Sequence, residues 1–190
     1  MKRLKSYSVI ATILCSILLS VNQSYAADKP LSLDDLGFKK ADTQTNPELQ
    51  LQLEKRTSML KTHQLFGLIA TGPMVANYLL GGSANHSSSV RNIHMGVGIA
   101  TSALYFTSAS FAIFAPKPEG VVDTGNTKIH RWLSYVHFPL MIITPILGGM
   151  AKGQRDNGQK VTGIAGMHGA AATVLLISYL ASIGIMTFSF

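Results

Sequence analysis

Histidine is the residue type through which this chain is best equipped for chemistry. Four of its six histidines stand near the N-terminal ends of separate apolar runs: His63, His94, His130 and His168. Ionisable residues are rare in such segments and usually mark function there. Since a neutral imidazole offers one nitrogen lone pair, two facing histidines can supply both axial ligands of a haem iron. The four histidines are therefore candidate haem ligands.

The order of these histidines along the chain predicts which membrane face each one lies near. If the apolar runs are antiparallel helices, His63 and His130 lie near one membrane face, and His94 and His168 near the other. The residue four positions after each histidine is small, which leaves room for a flat porphyrin: Gly67, Gly98, Ser134 and Ala172. The sequence thus predicts two bis-histidine haem sites, one near each face.

The two other histidines leave alternatives open. His137 follows His130 by seven residues, on nearly the same helix face and about 10 Å deeper, so it is either an alternative ligand to His130 or a packing residue. His86 lies in a serine-rich loop, where solvation is expected. Zinc or copper bound by histidine pairs, or a proton conduit, is a further alternative, but the apolar runs contain no carboxylate to complete a metal site.

Long apolar runs must position these histidines. Predicted membrane spans cover about 62–82, 93–116, 130–151 and 161–188, each near the length that crosses a bilayer. The fold class is therefore all-α, an antiparallel four-helix transmembrane bundle in a domain of residues 46–190. Asn46-Pro47-Glu48 has the composition of a helix start. An extramembrane amphipathic extension of the first helix precedes its span.

The N-terminal region has the features of a secretory signal peptide over residues 1–26. A basic start is followed by the apolar stretch 9–21 and by Ser24-Tyr25-Ala26, a small-x-small cleavage site. Cleavage would remove Cys15, the one cysteine, and would exclude disulfides and covalent c-type haem. An uncleaved signal anchor is the alternative. Residues 27–45 are polar and are expected to form an exposed linker.

Composition narrows the class of protein. Charged residues make up 13% of the chain, and the mean hydropathy is +0.26, which indicates membrane lipid as a partner and argues against nucleic-acid binding. The signal peptide places the protein in the inner (plasma) membrane, with the mature N-terminus on the outer, periplasmic side. Lys61, Lys128 and Arg131 flank one histidine pair and are candidate partners for haem propionates or an anionic substrate. Alternatively, they are interfacial anchors.

Two short motifs resemble the cytochrome b-561 family of di-haem membrane electron carriers. Ile129-His130-Arg131-Trp132 is similar to the family's His-x-Trp stretch, and Ile93-His94-Met95-Gly96 to its His-x-Gly stretch. The resemblance covers Lys61 to Tyr179. It implies crossed pairing, His63 with His130 and His94 with His168, and it favours His130 over His137. It also implies two non-covalent b-type haems and electron passage from one membrane face to the other. The family commonly has six helices, whereas this chain has a signal peptide and an amphipathic extension in place of the flanking two.

The expected function is transmembrane electron transfer between a donor and an acceptor on opposite faces. A quinol, an ascorbate-like reductant or a redox protein would suit as partner, and whether the chain is a reductase in its own right stays open. A homodimer is compatible with the amphipathic extension. The alternative is a haem-bearing membrane anchor or quinone-docking subunit of a larger redox complex.

Overall fold

A computed structural model describes residues 46–123 and 125–187. The predicted signal peptide of residues 1–26, with Cys15, and the predicted linker of residues 27–45 lie outside the described residues. Four α-helices and one short 3₁₀ helix make up the secondary structure of the described part, which contains no strand. The all-α prediction is confirmed for these residues.

The helices follow the four apolar runs. They are α1 (Pro47–Ala84), α2 (Ser88–Ile113), α3 (Gly125–Asp156) and α4 (His168–Thr187), with the 3₁₀ helix Gly163–Met167 directly before α4. Each of α1, α2 and α3, and the 3₁₀ helix together with α4, is long and apolar enough to cross a membrane. The chain is therefore a multi-pass membrane protein.

Helix α1 begins where its sequence predicts. The side-chain Oδ1 of Asn46 accepts hydrogen bonds from the backbone N–H groups of Glu48 (3.1 Å) and Leu49 (3.2 Å), which caps the helix. At 1.5 Å per residue its 38 residues extend about 57 Å, nearly twice the thickness of a bilayer's hydrocarbon core. The charged N-terminal part, with Glu54 and Lys55, accordingly extends beyond the apolar span.

Many large apolar side chains lie on the outside of the helices, and several small polar side chains are buried between them. Ile99 and Ile177 are about two-thirds exposed, whereas Ser108 is 3% and Ser182 1% exposed. Small and polar residues at helix contacts, with large apolar residues facing outward, are typical of helices packed in lipid. The apolar exterior is the surface that membrane lipid contacts.

Contacts between Cα atoms divide the chain into two compact units. In its described part the first unit comprises residues 46–76 and 103–123, from α1, α2 and the segment after α2. There the rings of Phe66 and Phe111 stack with centroids 6.2 Å apart. The Arg56 guanidinium donates a hydrogen bond of 2.8 Å to the carbonyl of Pro116. These contacts fix α1 against the end of α2.

The second unit comprises residues 77–102 and 125–187 of the described chain. Helices α3 and α4 pack together here, and the 3₁₀ helix packs against both. The last turns of α1 and the first turns of α2 belong to the same unit, where the Tyr78 hydroxyl lies 3.0 Å from the Thr173 hydroxyl of α4. All four helices therefore contribute to this unit.

A tight connection leads from α3 to α4. Gly158 adopts a φ of 71°, a left-handed conformation that glycine takes without a steric penalty, and its N–H donates to the carbonyl of Arg155 at 3.0 Å. Beyond it, the backbone N–H of Thr162 donates to the Gln154 side chain at 3.0 Å. The connection brings His168, the first residue of α4, back against α3.

Candidate functional site

One contact is shared by the four histidines that the sequence selects. In each, the ring nitrogen Nδ1 lies within hydrogen-bond distance of a backbone carbonyl oxygen on the adjacent helix. The pairs are His63 with Ser108 (3.0 Å), His94 with Asn77 (2.9 Å), His130 with Ser182 (3.3 Å) and His168 with Thr144 (2.9 Å). A carbonyl oxygen can only accept, so Nδ1 carries the proton and Nε2 carries the lone pair. This tautomer, held by a backbone carbonyl, is the usual state of a metal-ligating histidine.

The second unit brings two of the four histidines together. The rings of His94 and His168 have centroids 5.9 Å apart and planes at 86° to each other. Two imidazoles that share one metal, with metal–nitrogen bonds of about 2 Å and ring radii of about 1 Å, have centroids about 6 Å apart. The separation of this pair therefore fits a single metal ion bound by both rings.

A glycine lies beside each ring of the His94–His168 pair. A Cβ atom added to Gly148 would stand 2.8 Å from Cε1 and 3.1 Å from Nδ1 of His168, and one added to Gly81 would stand 3.6 Å from Cε1 of His94. Each glycine follows the residue that supplies the carbonyl acceptor by four positions. Each imidazole thus lies across one turn of the neighbouring helix, and at His168 only glycine leaves it room.

Two buried polar atoms accompany this pair. Oδ1 of Asn77 and Oγ1 of Thr144 have no hydrogen-bond partner in the described structure, and they belong to the same two residues whose carbonyls hold His94 and His168. Buried polar atoms are rarely left unsatisfied in native proteins. Both atoms can hydrogen-bond to a polar group bound beside the histidines, which fits a ligand site better than closed apolar packing.

His63 is held in the first unit by both polar groups of one serine. The Ser108 hydroxyl donates to the backbone carbonyl of His63 at 2.7 Å and lies 3.0 Å from its Nδ1. Because the single hydroxyl proton goes to that carbonyl, the hydroxyl oxygen accepts from Nδ1–H. The Ser108 carbonyl accepts from the same nitrogen, so His63 has two acceptors at Nδ1.

His130 has an equivalent serine in the second unit. The hydroxyl oxygen of Ser182 lies 2.6 Å from its Nδ1, closer than the Ser182 carbonyl at 3.3 Å. Ser182 is 1% exposed, the smallest exposed fraction among the buried polar side chains of the described residues. His63 and His130 belong to different units. Their pairing therefore stays a prediction.

The two remaining histidines differ from these four. His137 is 6% exposed on α3, and its ring packs edge-on against Tyr179 with centroids 5.5 Å apart. His86 is exposed in the turn between α1 and α2, as its serine-rich surroundings indicate. Of the small residues expected to leave space for a porphyrin, Gly98 lies beside the Asn77 side chain, whose Nδ2 would stand 3.0 Å from an added Cβ. Its expected role stays a prediction.

The basic residues divide into two groups. Lys61 and Lys128 are exposed and Arg131 is half-buried, so their predicted role beside a haem stays a prediction. The second group lies in the second unit. Arg91 lies 3.9 Å from the Asp156 carboxylate, and Lys152 forms an ion pair with the same group. Arg155 donates to the Asn85 side chain at 2.5 Å. This second group ties helix ends together.

An internal repeat underlies the site and was missed by reading the histidines alone. His63, Asn77 and Gly81 recur 67 residues later as His130, Thr144 and Gly148. His94, Tyr105 and Ser108 recur 74 residues later as His168, Tyr179 and Ser182. The chain thus carries two copies of one helix-pair pattern. The equal spacings are the sequence signal that could have identified both glycines and the residues whose carbonyls accept from the histidines.

The class of protein follows from these features: an all-α multi-pass membrane protein with histidines on its helices, of which His94 and His168 lie side by side. No family model, curated protein or solved structure matches the chain. Within residues 46–123 and 125–187, no group of three or more His, Cys, Asp or Glu side chains could hold a metal ion. The chemistry of the site therefore has to be derived from the histidine pairs themselves.

Proposed function

We propose that this chain is a di-haem b-type membrane cytochrome that carries electrons across the membrane, similar in design to the cytochrome b-561 family. One observation carries the proposal. Each of the four candidate ligands presents the tautomer that ligation through Nε2 requires, fixed by a backbone carbonyl. The 5.9 Å separation of His94 and His168 supports a shared iron for that pair.

His94 and His168 hold one haem in this proposal, and His63 and His130 hold the other. The second assignment is supported by the sequence register and by the equivalent anchoring of each histidine in its own unit. A bound b haem supplies a one-electron carrier. The protein's part is to fix both imidazole rings, and the carbonyl acceptor at each Nδ1 makes the ring a stronger electron donor to a metal.

Two protein ligands on each iron leave no coordination position open. The proposed function is therefore electron relay without oxygen activation. In this proposal both sites lie inside lipid, where bulk water has little access, and the exposed apolar side chains on all four helices support this location. Lys61, Lys128 and Arg131 are proposed as partners for the propionates of the His63–His130 haem.

The donor and the acceptor act on opposite faces in this proposal. The protein would lie in the inner membrane with the mature N-terminus on the periplasmic side, an orientation supported by the signal-peptide sequence. A quinol, an ascorbate-like reductant or a redox protein would deliver electrons at one face.

The test is the haem content of single alanine variants of the full chain. His63→Ala, His94→Ala, His130→Ala and His168→Ala should each lose one of two haems per chain, by pyridine haemochrome count, and keep the other. The matched control is His86→Ala, which alters an exposed turn and should retain both. If all four variants kept full haem content, the ligand assignment would be wrong.

A fifth variant separates His130 from His137 as the ligand on α3. His137→Ala should retain both haems, because the proposal gives His137 a packing role against Tyr179. Loss of one haem in His137→Ala, with full content in His130→Ala, would reverse the assignment. One haem per wild-type chain, together with a subunit that co-purifies at fixed ratio, would instead favour the membrane-anchor function.

A further inference from the structure

The two histidine pairs differ in what accepts a hydrogen bond from Nδ1. His94 and His168 face backbone carbonyls at 2.9 Å. His63 and His130 face a carbonyl and, in addition, the hydroxyl oxygen of a buried serine. Ser108 and Ser182 occupy equivalent positions in the internal repeat, 14 residues after His94 and His168 respectively. A buried serine therefore contacts Nδ1 in both copies of the repeat, and the two histidines that it contacts are the proposed ligands of one haem.

An acceptor at Nδ1 changes the electronic character of the imidazole. As the Nδ1 proton is drawn toward the acceptor, the ring becomes more negative and donates more strongly through Nε2. Stronger donation stabilises ferric over ferrous iron, and hydrogen bonding around axial ligands is one of the means by which a protein sets a haem potential. Two acceptors at one Nδ1 should therefore lower the haem potential more than a single acceptor does.

We propose that Ser108 and Ser182 are positioning residues that lower the reduction potential of the haem held by His63 and His130, an inference that rests on the proposed function. The serines orient the two rings and hold the proton on Nδ1. A lower potential at this haem favours electron flow from it to the haem held by His94 and His168.

The contact geometry ranks the two serines. At His130 the hydroxyl oxygen is the nearer partner of Nδ1, at 2.6 Å against 3.3 Å for the carbonyl, which can only accept. At His63 hydroxyl and carbonyl are both at 3.0 Å, so the carbonyl remains a good acceptor when the hydroxyl is removed. Ser182→Ala should therefore shift the potential further than Ser108→Ala.

The experiment is a spectroscopic redox titration of the full-length, detergent-purified protein and its variants. Ser182→Ala should move the midpoint potential of one haem in the positive direction and leave the other unchanged, and Ser108→Ala should move the same haem by less. Repeating Ser182→Ala in a His94→Ala background, where only the His63–His130 haem should remain, identifies which haem shifts.

The control is Ser178→Ala, the same substitution one turn earlier on α4. Ser178 is also buried, at 7% exposure, but its hydroxyl donates to the backbone carbonyls of Val174 and Leu175. Its variant should keep both wild-type potentials. An equal shift in Ser178→Ala would show a general packing effect and would overturn the proposal.

Other outcomes are equally decisive. Two haems with unchanged potentials in both serine variants would overturn the inference and leave the proposed function standing. Absence of haem from the wild-type protein would overturn both. If Ser182→Ala lost the haem assigned to His63 and His130, the potential of that haem in Ser108→Ala would test the inference. In that variant the residue-108 carbonyl, at 3.0 Å from Nδ1, still holds the His63 ring. A positive shift in that variant supports the proposal, and no shift rejects it.

Discussion

Each candidate ligand is oriented by a backbone atom of the neighbouring helix. A carbonyl acceptor holds the ring in one tautomer and cannot be lost by substituting a side chain, so the orientation depends on how the two helices are aligned. For His168 this alignment brings the ring onto α3 between the Thr144 carbonyl and Gly148. Substitution of the glycine is therefore the sharpest way to disturb the ligand without removing it.

Gly148→Ala should displace His168. A Cβ atom at this position would stand 2.8 Å from Cε1, closer than real Cβ atoms approach, so the ring must move away from its carbonyl acceptor. The expected result is loss of about one of two haems per chain by pyridine haemochrome count, with the protein still inserted in the membrane.

Gly149→Ala is the matched control, because an added Cβ there meets nothing within 4 Å. It should bind haem as the wild type does. Gly81→Ala, whose Cβ would make an ordinary 3.6 Å contact with His94, should also be tolerated. Equal haem content in Gly148→Ala and Gly149→Ala would contradict the close packing argued for His168.

Among the helices, α1 is distinguished by a length that exceeds a membrane span. Its exposed Glu54 lies in the charged N-terminal part, whereas Ile69 is 40% exposed within the apolar part. With Cys15 replaced by serine, Glu54→Cys should react with a membrane-impermeant maleimide, and Ile69→Cys should react only after detergent is added. Labelling of both at equal rates in intact membranes would contradict the division of α1.

Sequence patterns were most informative at the scale of helices. Charge-free runs predicted the four helices because a bilayer crossing demands about 20 apolar residues, and Asn46 predicted the start of α1 through its capping oxygen. The partners of the histidines could not be predicted in the same way. Every residue has a backbone carbonyl. Which carbonyl accepts from a histidine, here that of Asn77 or Thr144, depends on how two helices align. The sequence of one helix alone does not determine that alignment.

The same limit applies to Gly98. It follows His94 by one turn, and its expected role of leaving space for a porphyrin stays a prediction. The structure places it against the Asn77 side chain, because helix periodicity identifies the face of α2 but not the residue that meets it. The internal repeat would have supplied that information, since it relates Asn77 to Thr144 and Gly81 to Gly148.

For the whole molecule, the exposed apolar side chains and the repeated helix pair describe a multi-pass membrane protein whose sequence carries one histidine-bearing helix pair twice. Its orientation can be tested with two cysteines in the Cys15→Ser background. Glu54→Cys should be labelled by impermeant maleimide in intact cells from which the outer membrane has been removed. Gln159→Cys, in the exposed connection after α3, should be labelled only after the inner membrane is opened. The reverse pattern would contradict the proposed orientation.

The most direct test of the central proposal is a dithionite-reduced minus oxidised absorption spectrum of the purified wild-type protein, combined with a pyridine haemochrome count. We expect two low-spin b haems per chain, with a reduced spectrum that carbon monoxide leaves unchanged because histidines would occupy both axial positions. Protein purified without haem from cells supplied with haem precursor would contradict it.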